Sequence, residues 1–127
     1  MMVRTAPVRP RIAITGIGVV SPFGVGRERY WDHVTRGVSG TRAIDEFDAS
    51  AYGCQVAAAL PPIAIGDAPF IDGIDAAAGT DHSDPRRYSR ASLAGVIAAR
   101  EAWVDAGLRL GEPRAGVIVG SGAGASL

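Results

Sequence analysis

Three kinds of side chain in this sequence could do chemistry: one cysteine, two histidines and a cluster of arginines. Cys54 stands in Tyr52-Gly53-Cys54-Gln55. A cysteine nucleophile needs a helix N-terminus or a basic neighbour to lower its pKa. Neither flanks Cys54, so it reads as a small apolar structural residue. A single cysteine also excludes an intramolecular disulfide and a cysteine metal cluster. His33 falls on a helix and His82 in a polar loop. Neither has a second ligand at metal-binding spacing, so both read as surface histidines. No catalytic residue, metal ligand or cofactor site is assigned from these groups.

Arg86, Arg87 and Arg90 crowd the expected start of a long helix. The macrodipole is positive there, so basic side chains are mildly unfavourable. None of the three has an acidic residue four positions on. Two readings stand: a solvated helix start, or a docking patch whose arginine forks suit carboxylates or phosphates.

Two glycine-rich turns imitate phosphate-binding and nucleophile motifs. Thr15-Gly16-Ile17-Gly18-Val19-Val20-Ser21 resembles a dinucleotide fingerprint but has Ser21 where a third glycine is needed. Pro22-Phe23-Gly24 follows, so no helix opens there, and the glycines read as a tight turn at a strand end. Gly120-Ser121-Gly122-Ala123-Gly124 lacks the glycine two residues before the serine that a nucleophile elbow requires. It also lacks the Gly-Lys-Ser/Thr of a phosphate loop.

The elements that must position these groups follow from the apolar pattern. Ile12–Thr15 is a short apolar run closed by glycine, which predicts a strand buried on both faces. Residues 27–36 predict a helix with Tyr30, Trp31 and Val34 on one side and Gly37 as its left-handed terminator. Residues 39–52 read as irregular, and 55–60 as a short strand stopped by Pro61-Pro62. Residues 61–84 predict a long excursion with one helical turn near 71–78. Asp84 as cap and Pro85 at the first position predict a helix from there to Ala106, terminated by Gly107. Small residues (Ala91, Gly95, Ala98, Ala99, Ala102, Ala106) recur along it beside Leu93, Val96, Ile97 and Val104. That composition predicts a buried helix that lets neighbours come close. Gly95 costs about 1 kcal/mol against alanine in a helix interior, for which close packing is the usual reason. Residues 115–119 predict a second buried strand. Two such strands, each ending in a glycine turn and followed or preceded by a helix, indicate an α/β architecture.

Composition bounds the function. The chain has 127 residues, the size of one ordinary domain, with 47 % hydrophobic and 6 % aromatic residues. The apolar content is therefore aliphatic, which disfavours an aromatic ligand box. Formal net charge is zero, so no global field points to nucleic acid or to an anionic membrane. All 13 basic residues are arginine, read as codon bias. No apolar run is long enough for a signal peptide or a membrane span, so a cytoplasmic protein is expected. Residues 1–10 read as a disordered leader and 11–127 as a partial domain, because a strand and a glycine turn are an abrupt way for a domain to end.

Several segments, in order, resemble the β-ketoacyl-acyl-carrier-protein synthases, the condensing enzymes of fatty-acid and polyketide synthesis. Arg11-Ile12-Ala13-Ile14-Thr15-Gly16-Ile17-Gly18-Val19-Val20-Ser21-Pro22-Phe23-Gly24 is similar to the family's opening strand. Gly37-Val38-Ser39-Gly40 resembles the exit of its first helix, and Phe47-Asp48 its Phe-Asp segment. Arg86-Arg87-Tyr88-Ser89-Arg90 and Asp105-Ala106-Gly107-Leu108 resemble the two ends of its second long helix. Arg114–Gly122 resembles a further core strand. Ser89 departs from the family, where aspartate is frequent, and the stretch between Tyr52 and Asp84 is longer than usual.

The resemblance implies the N-terminal portion of a thiolase-like α-β-α-β-α layered fold, incomplete in this chain. It implies decarboxylative Claisen condensation of an acyl-enzyme thioester with a malonyl carrier protein in the intact form. The family's cysteine and two histidines would lie beyond Leu127, so the chain alone is expected to be inactive. An alternative is a non-catalytic, chain-length-factor-like partner or a decayed relative. The resemblance assigns Arg86, Arg87 and, beside them, Arg90 to docking of the acidic acyl carrier protein. It places Ala123 on the acyl channel, where a small residue would admit a bulkier chain. A homodimer or ketosynthase-like heterodimer is implied for the intact form.

Overall fold

The computed structural model describes residues 11–69, 71, 89–109 and 111–122. Two short antiparallel ribbons and two helices carry the regular structure. Strand β1 (Val20–Ser21) pairs with β2 (Gly24–Val25), Val20 opposite Val25 and Ser21 opposite Gly24. Pro22 and Phe23 form the turn between them. The buried Ser21 hydroxyl accepts from the Phe23 amide at 3.2 Å, which fixes that turn. Helix α1 (Arg27–Thr35) follows at once. Strand β3 (Arg42–Ala43) pairs with β4 (Val56–Ala57), and Ile44 extends the ribbon through its amide to the Gln55 carbonyl at 2.9 Å. A 3-10 turn spans Ile65–Asp67, and helix α2 spans Arg90–Asp105.

Both helices end as their glycines predict. Gly37 has φ 67° and Gly107 φ 64°, the left-handed conformation glycine adopts without a Cβ penalty. Val38 donates to the His33 carbonyl and Gly37 to that of Val34; Leu108 donates to the Trp103 carbonyl and Gly107 to that of Val104. Each set is a Schellman closure that satisfies the last carbonyls of its helix.

The start of α2 differs from the expectation. Ser89 is the cap, its hydroxyl accepting from the Ser92 amide at 3.1 Å. Asp84 and Pro85, expected in that role, lie outside the described residues, as do the leader 1–10 and most of the helical turn expected near 71–78. Residues 42–43, expected to be irregular, are a strand because their backbone finds β4.

Three packing expectations are corrected. Residues 12–15 form no strand, and Ile12 and Ile14 are 91 % and 83 % exposed. Residues 115–119 likewise form no strand, and Ile118 is fully exposed. Apolar composition selects a strand only when neighbouring backbone supplies the ladder. Helix α2 buries Ile97 completely, yet Val96 and Val104 are exposed. Of its small residues, Ala98, Ala102 and Ala106 find a partner, while Ala91, Gly95 and Ala99 are exposed. The described core is thin: Ala49, Ile71 and Ile97, with Ser21 as the buried polar residue.

That small side receives residues 16–19. A Cβ on Gly18 would overlap the Ala98 carbonyl oxygen and lie 2.8 Å from the Ala102 nitrogen. A Cβ on Gly16 would overlap the Ala102 carbonyl oxygen and lie 2.7 Å from the Ala106 nitrogen. The two glycines therefore serve close approach of backbone to helix, not a tight turn. Gly95 has nothing within 4 Å of its missing Cβ, so close packing does not explain that glycine.

Candidate functional site

Two carboxylates on α2 organise the region where the fold is best defined. Glu101 and Asp105 are four residues apart and flank Ala98 and Ala102 on the same side of the helix. The Val19 amide donates to Glu101 Oε2 at 2.8 Å, and the Ile17 amide to Asp105 Oδ2 at 3.0 Å. Two extended residues advance about 6.6–6.8 Å, and four helical residues about 6 Å. The spacing of the amides thus matches the spacing of the acids, with the extended segment running antiparallel to the helix.

Glu101 also does the work of a cap. Position 26 precedes α1, and glycine has no side chain with which to satisfy the first amides. The Arg27 amide donates instead to Glu101 Oε1 at 2.8 Å. A carboxylate there meets both an orphan donor and the positive end of the macrodipole. The Arg27 side chain pairs with Asp105. That hydrogen bond, followed by the Ile17 amide, holds the Asp105 carboxyl below its ordinary pKa, and Asp105 in turn raises the Arg27 guanidinium. One helix therefore fixes the extended segment, the hairpin that follows it and the start of α1.

An open depression of about 330 Å3 lies beside this clamp, lined by Val25, Arg27, Arg29, Pro69, Glu101 and Asp105 among others. Glu101, Asp105 and Arg27 are already committed to one another or to backbone amides. Among the described residues, no cysteine, histidine or serine lines it, so none of them offers a nucleophile there. Among the described residues, no group of three acidic, histidine or cysteine side chains is arranged to hold a metal. None of their helices is long and apolar enough to cross a membrane.

The expected functional side chains are scattered. Cys54 is exposed, and its thiol donates to the Val56 carbonyl at 3.4 Å. The small apolar role expected for it carries no burial here. His33 is half-buried, stacks on Phe23 with ring centroids 4.3 Å apart, and donates from Nδ1 to the Arg29 carbonyl at 2.7 Å. It packs more than a surface histidine would. Arg90 opens α2 and donates to the carbonyls of Leu60 and Pro61. Arg86, Arg87, His82 and Ala123 lie outside the described residues. Sequence reading missed Glu101 and Asp105. Two acids four apart on a side otherwise lined with alanine were the available signal.

Known proteins resemble this chain over most of its length. The chain is 38 % identical over 120 residues to the oxytetracycline polyketide putative beta-ketoacyl synthase 1 of Streptomyces rimosus, covering 92 % of this chain and 25 % of that protein. It is 36 % identical over 117 residues to 3-oxoacyl-[acyl-carrier-protein] synthase 2 of Coxiella burnetii, covering 90 % and 26 %. It is 36 % identical over 124 residues to the actinorhodin polyketide putative beta-ketoacyl synthase 1 of Streptomyces coelicolor, covering 94 % and 24 %. The chain thus spans about a quarter of the length of these relatives. Residues 9–126 match the family described as beta-ketoacyl synthase, N-terminal domain, and the chain belongs to that family.

Proposed function

We propose that this chain is the front part of a β-ketoacyl-acyl-carrier-protein synthase, an acyltransferase of fatty-acid or polyketide synthesis. The observation that carries the reading is the family match over residues 9–126. In the reaction, an acyl group held as a thioester on an enzyme cysteine meets a malonyl group on a carrier protein. Loss of carbon dioxide leaves a carbanion at the malonyl α-carbon. It attacks the acyl carbonyl, the enzyme thiolate departs, and a β-ketoacyl carrier protein results. The step is covalent catalysis and needs an activated nucleophile.

This chain's contribution is architectural. Gly16 and Gly18 let the opening segment lie against α2, and Glu101 and Asp105 lock its register. Cys54 and the histidines are not assigned to the chemistry, so the chain alone is proposed to be inactive. Arg86, Arg87 and Arg90 are proposed to serve docking of the acyl carrier protein, and Ala123 to line the acyl channel. The intact form is proposed to be a cytoplasmic dimer with the thiolase-like layered fold.

The test is a condensation assay with acyl and malonyl carrier proteins, run on this chain and on the product of its whole reading frame. The reading expects β-ketoacyl carrier protein and carbon dioxide from the whole product and neither from the chain. Turnover by the chain alone would refute the architectural role. No turnover by the whole product would favour the non-catalytic partner.

A further inference from the structure

Helix α1 has little of its own to hold it in place. It has nine residues, and none of its side chains is buried. An isolated helix shorter than about 12–15 residues is marginal in water. Gly26 before it has φ 108° and no side chain with which to cap. Its tertiary ties run to two places. His33 stacks on Phe23, and Arg29 donates to the Phe23 carbonyl at 3.4 Å, both at the turn of the β1–β2 hairpin. The Arg27 amide and side chain run to Glu101 and Asp105 on α2. The hairpin is anchored in the same place. The Val19 amide donates to Glu101, 82 residues away, and the Gly26 amide closes on the Val19 carbonyl at 2.9 Å. Glu101 therefore holds the hairpin with Oε2 and the helix with Oε1.

We propose that Glu101 and Asp105 form a latch: residues 16–38 dock on α2 and leave it as one unit, and α1 is helical only while that unit is docked. Proteins open in contiguous cooperative units whose free energies lie below that of global unfolding. Here one carboxylate meets donors from two elements, so its loss frees the hairpin and uncaps the helix at once. Asp105 repeats the arrangement, accepting from the Ile17 amide and from the Arg27 side chain. The β3–β4 ribbon is closed within residues 42–57 by its own pairing and by the Ile44 bond to the Gln55 carbonyl. It stays folded when the unit leaves. The latch uses contacts inside this chain and does not rest on the enzymatic reading above.

The experiment is amide exchange on the whole chain, wild type against E101A, D105A and D105N. The informative amides touch neither carboxylate. They are Tyr30, bonded to the Gly26 carbonyl, and Gly37 and Val38, bonded to those of Val34 and His33. Ile44, bonded to Gln55, and Leu93, bonded to Ser89, are the references. E101A is expected to speed exchange at Tyr30, Gly37 and Val38 by one common factor of about ten or more, the effect of losing hydrogen bonds to a charged group. Ile44 and Leu93 should keep their wild-type rates. D105A should move the same three amides together, and D105N, which keeps an acceptor oxygen, by a smaller common factor. Tyr30, Gly37 and Val38 at wild-type rates while Val19 exchanges faster would overturn the latch and leave α1 independent of α2. Equal acceleration of Ile44 and Leu93 would overturn it too, because the whole fold would then be opening. The wild type alone decides the matter should the variants not fold. In a rising urea series, Val19, Tyr30, Gly37 and Val38 should converge on one opening free energy below that of Ile44, and separate values would refute a single unit.

Discussion

Adding one methyl group at position 18 should damage this fold about as much as truncating a core aliphatic side chain would. The Cβ of Gly18→Ala would overlap the Ala98 carbonyl oxygen and lie 2.8 Å from both the Ala98 carbonyl carbon and the Ala102 nitrogen. Those are backbone atoms inside a helix and cannot turn aside as a side chain can. The extended segment must lift instead. Lifting it stretches the Val19–Glu101 and Ile17–Asp105 bonds, now 2.8 and 3.0 Å. Overpacking costs about 1–3 kcal/mol, and a hydrogen bond to a charged group is worth about 1.5–3 kcal/mol. With the segment lifted rather than lost, the expected cost is about 2–4 kcal/mol. Gly95→Ala is the control. Nothing lies within 4 Å of that position, and alanine gains about 0.5–1 kcal/mol of helix propensity. Urea unfolding followed by the fluorescence of Trp103, which lies on α2, reads both variants. A Gly18→Ala midpoint equal to wild type would refute the close-packing account of the glycine pair.

Glu101→Gln keeps one acceptor oxygen and replaces the other by a donor, so either the Val19 or the Arg27 amide loses its partner. A loss of about 1.5–3 kcal/mol is expected, with faster exchange at one of those amides; unchanged exchange at both would show that water replaces the carboxylate. Ser89→Ala removes the hydroxyl that accepts from Ser92 and should cost about 0.5–2 kcal/mol, read as fraying at the start of α2. Asp105 is held below its ordinary value near 3.8 first by the Arg27 hydrogen bond and then by the Ile17 amide. A depressed folded pKa means its contribution is complete above the unfolded pKa and is lost as pH falls through the folded one. Asp45, Glu46 and Asp48 are lowered too, so Asp105→Asn should flatten the acid limb of the stability–pH curve only in part. A curve parallel to wild type below about pH 4 would count against the pair. Charged substitution of Ile118, fully exposed, should leave the urea midpoint unchanged and reduce self-association in sedimentation; a lowered midpoint would mean that side chain is covered in solution.

Local signals were the legible part of this sequence. Gly37 and Gly107 end their helices as read, because a left-handed residue after an amphipathic run is decided within one turn. The second long helix was legible to within one residue of its end, read at Ala106 and found at Asp105, and it was recognised as a helix that lets neighbours come close. What approaches it was not, since Gly16 and Gly18 lie some eighty residues away in sequence and also fit a turn at a strand end. Burial was the least legible property. Residues 12–15 and 115–119 have the composition of buried strands, but composition does not supply the neighbouring backbone that makes a strand. The clamp escaped notice because Glu101 and Asp105 look like solvated acids until the Ile17, Val19 and Arg27 amides are placed beside them. The family resemblance was carried by the order of the motifs, which no single motif replaces.

The most direct test of the proposed enzyme is to read the gene beyond the codon for Leu127. The account predicts a cysteine opening a helix there, followed later by two histidines, in the same frame. A stop codon, or another residue in place of that cysteine, would contradict the enzymatic reading and leave a relative that keeps the family's framework without its chemistry.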